Sequence, residues 1–260
     1  MKYLCFLYLF ISLCSCVHKN VKLPQSLTLI QKEKMPSKYS ISRYFEYDNQ
    51  NRLLAWTDST YNSKKGGIIV EKELVVYDDE GKIISLMSYR DGEQRYQLDF
   101  VYENNTIKLK VPDKFNEESD ILGIIELNKN GSVARYNTKE KRRSNTMIVG
   151  YDKQGNLKTI KVDSNFKPYY KVYEYGNNKG IFHDVNMPPW FWIVTDNGLQ
   201  GMAFYNKNVQ SVTITKYSGY TDPITTTLES TMEFDEDGYP VFMEGIITNG
   251  FTLKVKYKEP

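Results

Sequence analysis

Tyr151-Asp152-Lys153-Gln154-Gly155-Asn156-Leu157 reads, within one short stretch, as a strand end, a tight turn and a strand start. Asp supplies a short acceptor for backbone N–H groups two residues on. Gly in the fourth position of Asp-x-x-Gly takes the positive φ that residues with a Cβ resist, which suits a type I turn. The aliphatic residue two places after Gly opens the return strand, so the unit predicts a β-hairpin.

The unit recurs along the chain. Copies are Tyr47-Asp48-Asn49-Gln50-Asn51-Arg52-Leu53, Tyr77-Asp78-Asp79-Glu80-Gly81-Lys82-Ile83, Leu127-Asn128-Lys129-Asn130-Gly131-Ser132-Val133 and Phe234-Asp235-Glu236-Asp237-Gly238-Tyr239-Pro240. Shortened versions start at Tyr102, Tyr175 and Tyr205, so successive units begin 24 to 30 residues apart. That period holds two strands and two turns, and it marks a repeat architecture in which each unit buries a face against its neighbours. The units at Tyr77 and Tyr151 resemble the Tyr-Asp repeats of RHS-type proteins, Tyr-Asp-x-x-Gly-x-Leu. The chain from 40 to 257 is also similar to a family of bacterial lipoproteins of unknown function with a porin-like, many-stranded antiparallel sheet. The matching positions are turn and strand positions, so the resemblance implies a fold and no functional residue.

Composition agrees with a sheet protein. Aromatics make up 14% of the 260 residues, with 21 Tyr, and Thr106 to Val111 and Thr252 to Lys258 alternate apolar residues with Lys or Thr. Period 2 with one Lys-bearing face predicts an antiparallel sheet with a wet side. The Lys row of Thr252 to Lys258 further predicts a guarded edge strand. The expected fold is all-β: a long antiparallel meander of about 14–17 strands built from repeated hairpins, curled into an open barrel-like or two-layered sheet. One short helical turn is expected near 188–195, where Asn186-Met187-Pro188-Pro189 places an Asn cap and a first-turn proline.

At the start of the chain, Lys2 precedes the apolar run Leu4 to Leu13, which is too short to span a bilayer and reads as a secretion signal. Leu13-Cys14-Ser15-Cys16 resembles the bacterial lipobox, with Ser15 before the cut and Cys16 as the acylated residue. The expected organisation is a signal peptide over 1–15, a tether over 16–36 and one all-β domain over 37–260. With Cys5 and Cys14 removed and Cys16 lipidated, the domain keeps no thiol, which excludes disulfides, thiol catalysis and cysteine metal sites. The absence of an acidic residue beside Cys16 favours the outer membrane of a Gram-negative envelope, lipid-anchored and facing the periplasm.

Chemistry-bearing motifs are sparse. Net charge is +2, from 34 basic and 32 acidic residues, so no nucleic-acid partner is expected. His183 is the only histidine of the domain, with no nucleophile elbow, so neither a triad nor a zinc site is expected. Asp235-Glu236-Asp237-Gly238 looks faintly like a calcium loop, but the hairpin reading accounts for it. Glu117, Glu118 and Asp120 in the acidic loop 112–120 are the carboxylates a glycoside hydrolase would use. Lys139-Glu140-Lys141-Arg142-Arg143 is a basic run that suits either a solvated loop or anionic head groups. Trp190-Phe191-Trp192 reads either as a buried plug of the sheet or as an exposed aromatic patch for stacking on sugars. Trp56 is expected in the core. A transmembrane barrel is disfavoured by short strands, a modest apolar face and a redundant lipid anchor. The resulting expectation is a lipid-anchored, non-catalytic binding or scaffolding protein without cofactor or metal, whose partner is a glycan or another envelope protein. A glycan-binding module using Trp190 and Trp192, and a carboxylate-dependent hydrolase, are the alternatives.

Overall fold

The turns of the computed structural model form by the local chemistry read above. Asp152 Oδ1 accepts from the N–H groups of Gln154 (2.9 Å) and Asn156 (2.8 Å), while Gly155 N donates to Asp152 O (3.1 Å) at φ +82°. Asp48, Asp78 and Asp235 accept from the equivalent pair of N–H groups, and Asn51 takes the Gly slot at φ +61°. Burial pushes the carboxyls of Asp48, Asp152 and Asp235 up, but the hydrogen bonds they accept outweigh it and hold all three below the usual range.

The structure describes residues 21–31, 39–62, 66–112, 121–140, 143–164, 168–195, 207–218, 221–245 and 251–258. Among these, seventeen strands form one antiparallel sheet. They are β1 (Pro24–Gln31), β2 (Tyr39–Tyr47), β3 (Leu53–Asn62), β4 (Gly67–Tyr77), β5 (Ile83–Arg90), β6 (Glu93–Glu103), β7 (Thr106–Lys110), β8 (Ile121–Leu127) and β9 (Val133–Glu140). The circuit continues with β10 (Arg143–Tyr151), β11 (Leu157–Ser164), β12 (Tyr169–Lys179), β13 (Lys207–Ser218), β14 (Thr221–Glu229), β15 (Thr231–Phe234), β16 (Pro240–Glu244) and β17 (Phe251–Tyr257). Helix α1 (Pro189–Thr195) lies between β12 and β13 in the chain.

After each of the five Asp- or Asn-led turns the register slips by one residue at the same place, as between Gly150 and Tyr151. The strand-ending aromatic or Leu pairs with the residue six positions on, and these residues point inward: Leu53, Ile83, Val133 and Leu157 are 0–4% exposed. The bulge also accounts for two exposed aliphatics, Leu54 and Ile84, which are the extra residues it leaves out of the ladder.

The tyrosines before the turns do more than end strands. Tyr47, Tyr77 and Tyr102 donate their hydroxyls to the backbone oxygens of Pro24, Leu53 and Ile83, each at 2.9 Å, and Tyr257 donates to Pro240 O at 3.1 Å. Tyr151 instead accepts from Val133 N at 3.1 Å. Each hydroxyl thus ties one hairpin to the start of the neighbouring return strand, a link that Phe lacks. Burial raises these phenols, Tyr47 well above its ordinary value, Tyr151 to about 12 and Tyr77, Tyr102 and Tyr257 further. A raised phenol stabilises the fold fully below the free-phenol value of about 10 and loses that contribution as pH climbs above it. Titration at 295 nm is therefore expected to show one reversible set of tyrosines near pH 10 and a second set that ionises only as the sheet melts. A single reversible set with the sheet intact would refute this.

The sheet curls into a nearly closed barrel. It runs as a meander from β2 to β14, while β1 sits between β2 and β17 and is held by two full registers and by Lys258 N donating to Leu23 O (2.8 Å). Two expectations are corrected here. Residues 24–31 are not tether but an inner strand, with Leu27 and Leu29 buried. The Lys-bearing last strand is not an edge, because β1 covers the side that β16 leaves free. Closure is completed by a single chain segment: β14 pairs with β13 and β15 with β16, yet only Ser230 separates them. Ser230 N donates to Gln210 O (2.8 Å) and Gly245 packs on Glu229 O. One bent strand therefore changes partner midway, and the barrel is joined there by covalent chain rather than by a continuous ladder.

Candidate functional site

The floor of the barrel is built first. Residues 180–192 enter beneath the turns, and Ile181, Phe182, Val185, Met187, Trp190, Phe191 and Trp192 are all under 9% exposed. Phe191 meets Trp56 edge-on (6.4 Å between centroids), Trp190 meets Phe100 (5.0 Å) and Phe182 stacks on Trp192 (4.5 Å) while contacting Phe45 (5.5 Å). Asn186 does not cap α1. Its N–H donates to Asn51 O (2.9 Å) and its side-chain amide to Gln50 O (3.4 Å), which fastens the plug to the β2–β3 turn.

Above the floor the inner wall becomes polar. Register places Phe45, Trp56, Glu73, Ser88 and Tyr96 in one cross-strand row over β2–β6, and Arg43, Asp58, Glu71 and Arg90 in the next. Arg43 grips Asp58 through two bonds, at 2.6 and 2.7 Å, and its guanidinium lies 5.6 Å from the Trp56 ring centre. Arg90 pairs with Glu71. Glu73 has no arginine of its own. Burial pushes its carboxyl up to about 7, a hydrogen bond from Ser88 opposes this, and the Asp58 and Glu71 charges add to it.

Because the folded-state value lies above that of a free carboxyl, Glu73 stabilises the fold below about pH 4.3 and loses that contribution as pH rises through 7. Glu73→Gln is expected to raise the urea midpoint at pH 8 and to change it little at pH 4. Parallel pH profiles for wild type and variant would show that Glu73 is not held neutral.

The wall over β9–β12 is different in character: it carries a cavity of about 380 Å³ lined by uncharged side chains, among them Tyr136, Asn145, Met147 and Tyr169. A smaller cavity of about 270 Å³ lies beside it and shares Val162 and Tyr169.

The residues singled out from sequence are distributed unevenly. Trp190, Phe191 and Trp192 form the plug, at 3%, 0% and 7% exposure, so their ring faces are occupied by core contacts and offer no sugar platform. Trp56 is in the core. His183 lies on the plug, its ring 6.3 Å from that of Tyr239 and Nε2 3.9 Å from Asp184. Cys16, the loop carboxylates Glu117, Glu118 and Asp120, and the side chains of the 139–143 basic run lie outside the described residues. Among the described residues no three metal-ligating side chains come together. The inner-wall groups were missed because strands were read for apolar phase alone. The signal was there: Glu71 and Glu73 are in phase with buried Val75, so a carboxylate on the inward face was legible.

No protein-family model and no curated protein matches the chain. Among solved structures it is similar to a porin-like protein from Bacteroides uniformis, at 10% identity and TM-score 0.44 over 90% of this chain and 98% of that one. A porin-like protein from Bacteroides vulgatus matches at 11% identity and TM-score 0.40, over 91% and 99%. A TcdB2-TccC3-TEV structure matches at 9% identity and TM-score 0.22, with 93% of this chain on 16% of that one.

Proposed function

We propose that this chain is a lipid-anchored protein of the Gram-negative cell envelope, held at the outer membrane through Cys16, whose barrel is a non-catalytic receptacle facing the periplasm. The observation that carries the reading is the polarity of the two faces. Outward positions hold charge where a spanning barrel needs an apolar band: Glu46 with Lys72 (2.7 Å), Lys161 with Asp163 (3.1 Å), Arg135 with Glu126 (3.7 Å), and exposed Lys254 and Lys256. Inside, the plug fills the turn end and polar rows line the wall above it, which suits a closed-bottomed vessel rather than a through-channel.

The start of the domain supports the orientation. Lys22 Nζ lies 2.8 Å from Asp235 and 2.6 Å from Asp237, and its N–H donates to Asp184 of the plug segment (3.0 Å). An anchor attached just before Val21 therefore leaves from the plugged end and points the polar inner wall away from the bilayer.

Phase partitioning of wild type and Cys16→Ala provides the test. Wild type is expected to follow the detergent phase and to carry acyl mass on Cys16, and the variant to appear in the aqueous fraction. A Cys16→Ala protein that still resists carbonate extraction from membranes would instead make the barrel a spanning one.

A further inference from the structure

We propose that the β9–β12 wall of the lumen is a binding site for a neutral saccharide of about two pyranose rings; this deepens the receptacle reading and rests on it. The register writes the site out as two parallel rows. Thr138 pairs with Asn145 and Asn145 with Ser164, giving a rail of hydroxyl, amide and hydroxyl. In the next row Tyr136 pairs with Met147, Met147 with Val162 and Val162 with Tyr169, giving an apolar floor bracketed by two phenol rings. All seven residues line the one cavity of about 380 Å³, and none is charged.

That pairing of an apolar row with an uncharged hydrogen-bonding row matches the two sides of a pyranose, a C–H face and a hydroxyl edge. A volume in this range is that of a small-molecule site. Three strand spacings separate the two tyrosines, or about 14 Å, a span for two rings rather than one. The rings are also held in place. A Cβ at Gly123 would stand 2.8 Å from Tyr136 Cε2, so the Tyr136 ring lies directly over that glycine, and the Lys171 ammonium sits 5.3 Å from the centre of the Tyr169 ring. Platforms fixed before binding lose little freedom on binding. The side chains lining the cavity bring no cation to a free acid, the nearest being the Lys171 ammonium over the Tyr169 ring, and an acyl chain would offer Thr138 and Asn145 no hydrogen-bonding group.

The experiment is titration calorimetry on the full chain in a sugar-free detergent, with maltose, cellobiose and N,N′-diacetylchitobiose as neutral probes. A digalacturonate and decanoate serve as the charged and apolar probes. Asn145→Leu and Thr138→Val keep side-chain volume and remove the polar rail, and Glu46→Gln on the outer face serves as control. The expected result is saturable binding of at least one neutral disaccharide, weakened about tenfold by Asn145→Leu and unchanged by Glu46→Gln. Thermal midpoints near wild type show that the variants fold. Binding of digalacturonate or decanoate alone overturns the ligand class while leaving the receptacle reading standing. Neutral binding that Asn145→Leu and Thr138→Val leave intact overturns the site. No binding by any probe overturns the saccharide proposal alone, since the envelope reading is tested separately by the Cys16→Ala partitioning.

Discussion

Gly245→Ala is expected to destabilise the barrel by at least about 4 kcal/mol, since among the described glycines a Cβ here would make the closest approach. Gly245 has φ +113°, a conformation that residues with a Cβ rarely adopt, and the added carbon would stand 2.0 Å from Glu229 O. The obstacle is backbone, so no side-chain rotation relieves it. It also falls at the bend where β14 gives way to β15, the point at which the ladder changes partner. Gly131→Ala is the matched control. Its φ of +80° is equally unsuited to Ala, but nothing lies within 4 Å of the new carbon, so the cost should stay near about 1 kcal/mol. Urea unfolding of both variants decides the matter: equal midpoints would mean that the seam yields freely and does not hold the barrel closed.

Phe191→Ala should cost about 3–5 kcal/mol, lowering the thermal midpoint by roughly 6–20 °C for a domain of this size. Phe191 is 0% exposed and touches Trp56, Phe100, Trp190 and Trp192 at centroid distances of 6.4, 6.3, 5.9 and 6.0 Å. Its removal opens a hole bounded by Trp56 of β3 and Phe100 of β6 on one side and by the α1 rings on the other, so the cavity closes poorly. Calorimetry on the variant reads the loss directly. A drop of only one or two degrees would mean that the aromatic segment lies against the barrel without supporting it, and the closed-bottomed vessel would lose its physical basis.

The two largest effects both arise from contacts between residues far apart in the chain, which is why neither was legible beforehand. The hairpin turns were legible because their hydrogen bonds join residues two to four apart: Asp152 reaches Gln154 and Asn156, and Gly155 supplies the positive φ. The inward phase of Ile107, Leu109 and Val111 was legible too, since alternation alone places them on one face, and they are 0%, 2% and 5% exposed. Strand β1 carried the same signal in Ser26-Leu27-Thr28-Leu29, yet the proline-bearing stretch around it reads as tether until a partner is known. One of its two partners, β17, begins more than 200 residues away.

The candidate site divides along the same line. Each of Thr138, Asn145, Ser164, Tyr136, Met147 and Tyr169 sits in a strand whose existence the repeat predicts. Their assembly into a polar rail and an apolar floor depends on the registers of three neighbouring ladders, which no local pattern fixes. Glu73 likewise acquires its raised value only where Trp56, Ser88 and the Arg43–Asp58 pair surround it. By itself the amino-acid sequence determined an antiparallel all-β chain of repeated hairpins with an aromatic turn of helix near 190, because those features come from bonds and periodicities a few residues long. Tertiary structure alone decided that β1 is covered by β2 and β17, that the aromatic knot is buried and that ion pairs line the wall over β2–β6 while uncharged side chains line the cavity over β9–β12. Burial and register are properties of neighbours in space, and in a closed barrel those neighbours are supplied by the whole circuit.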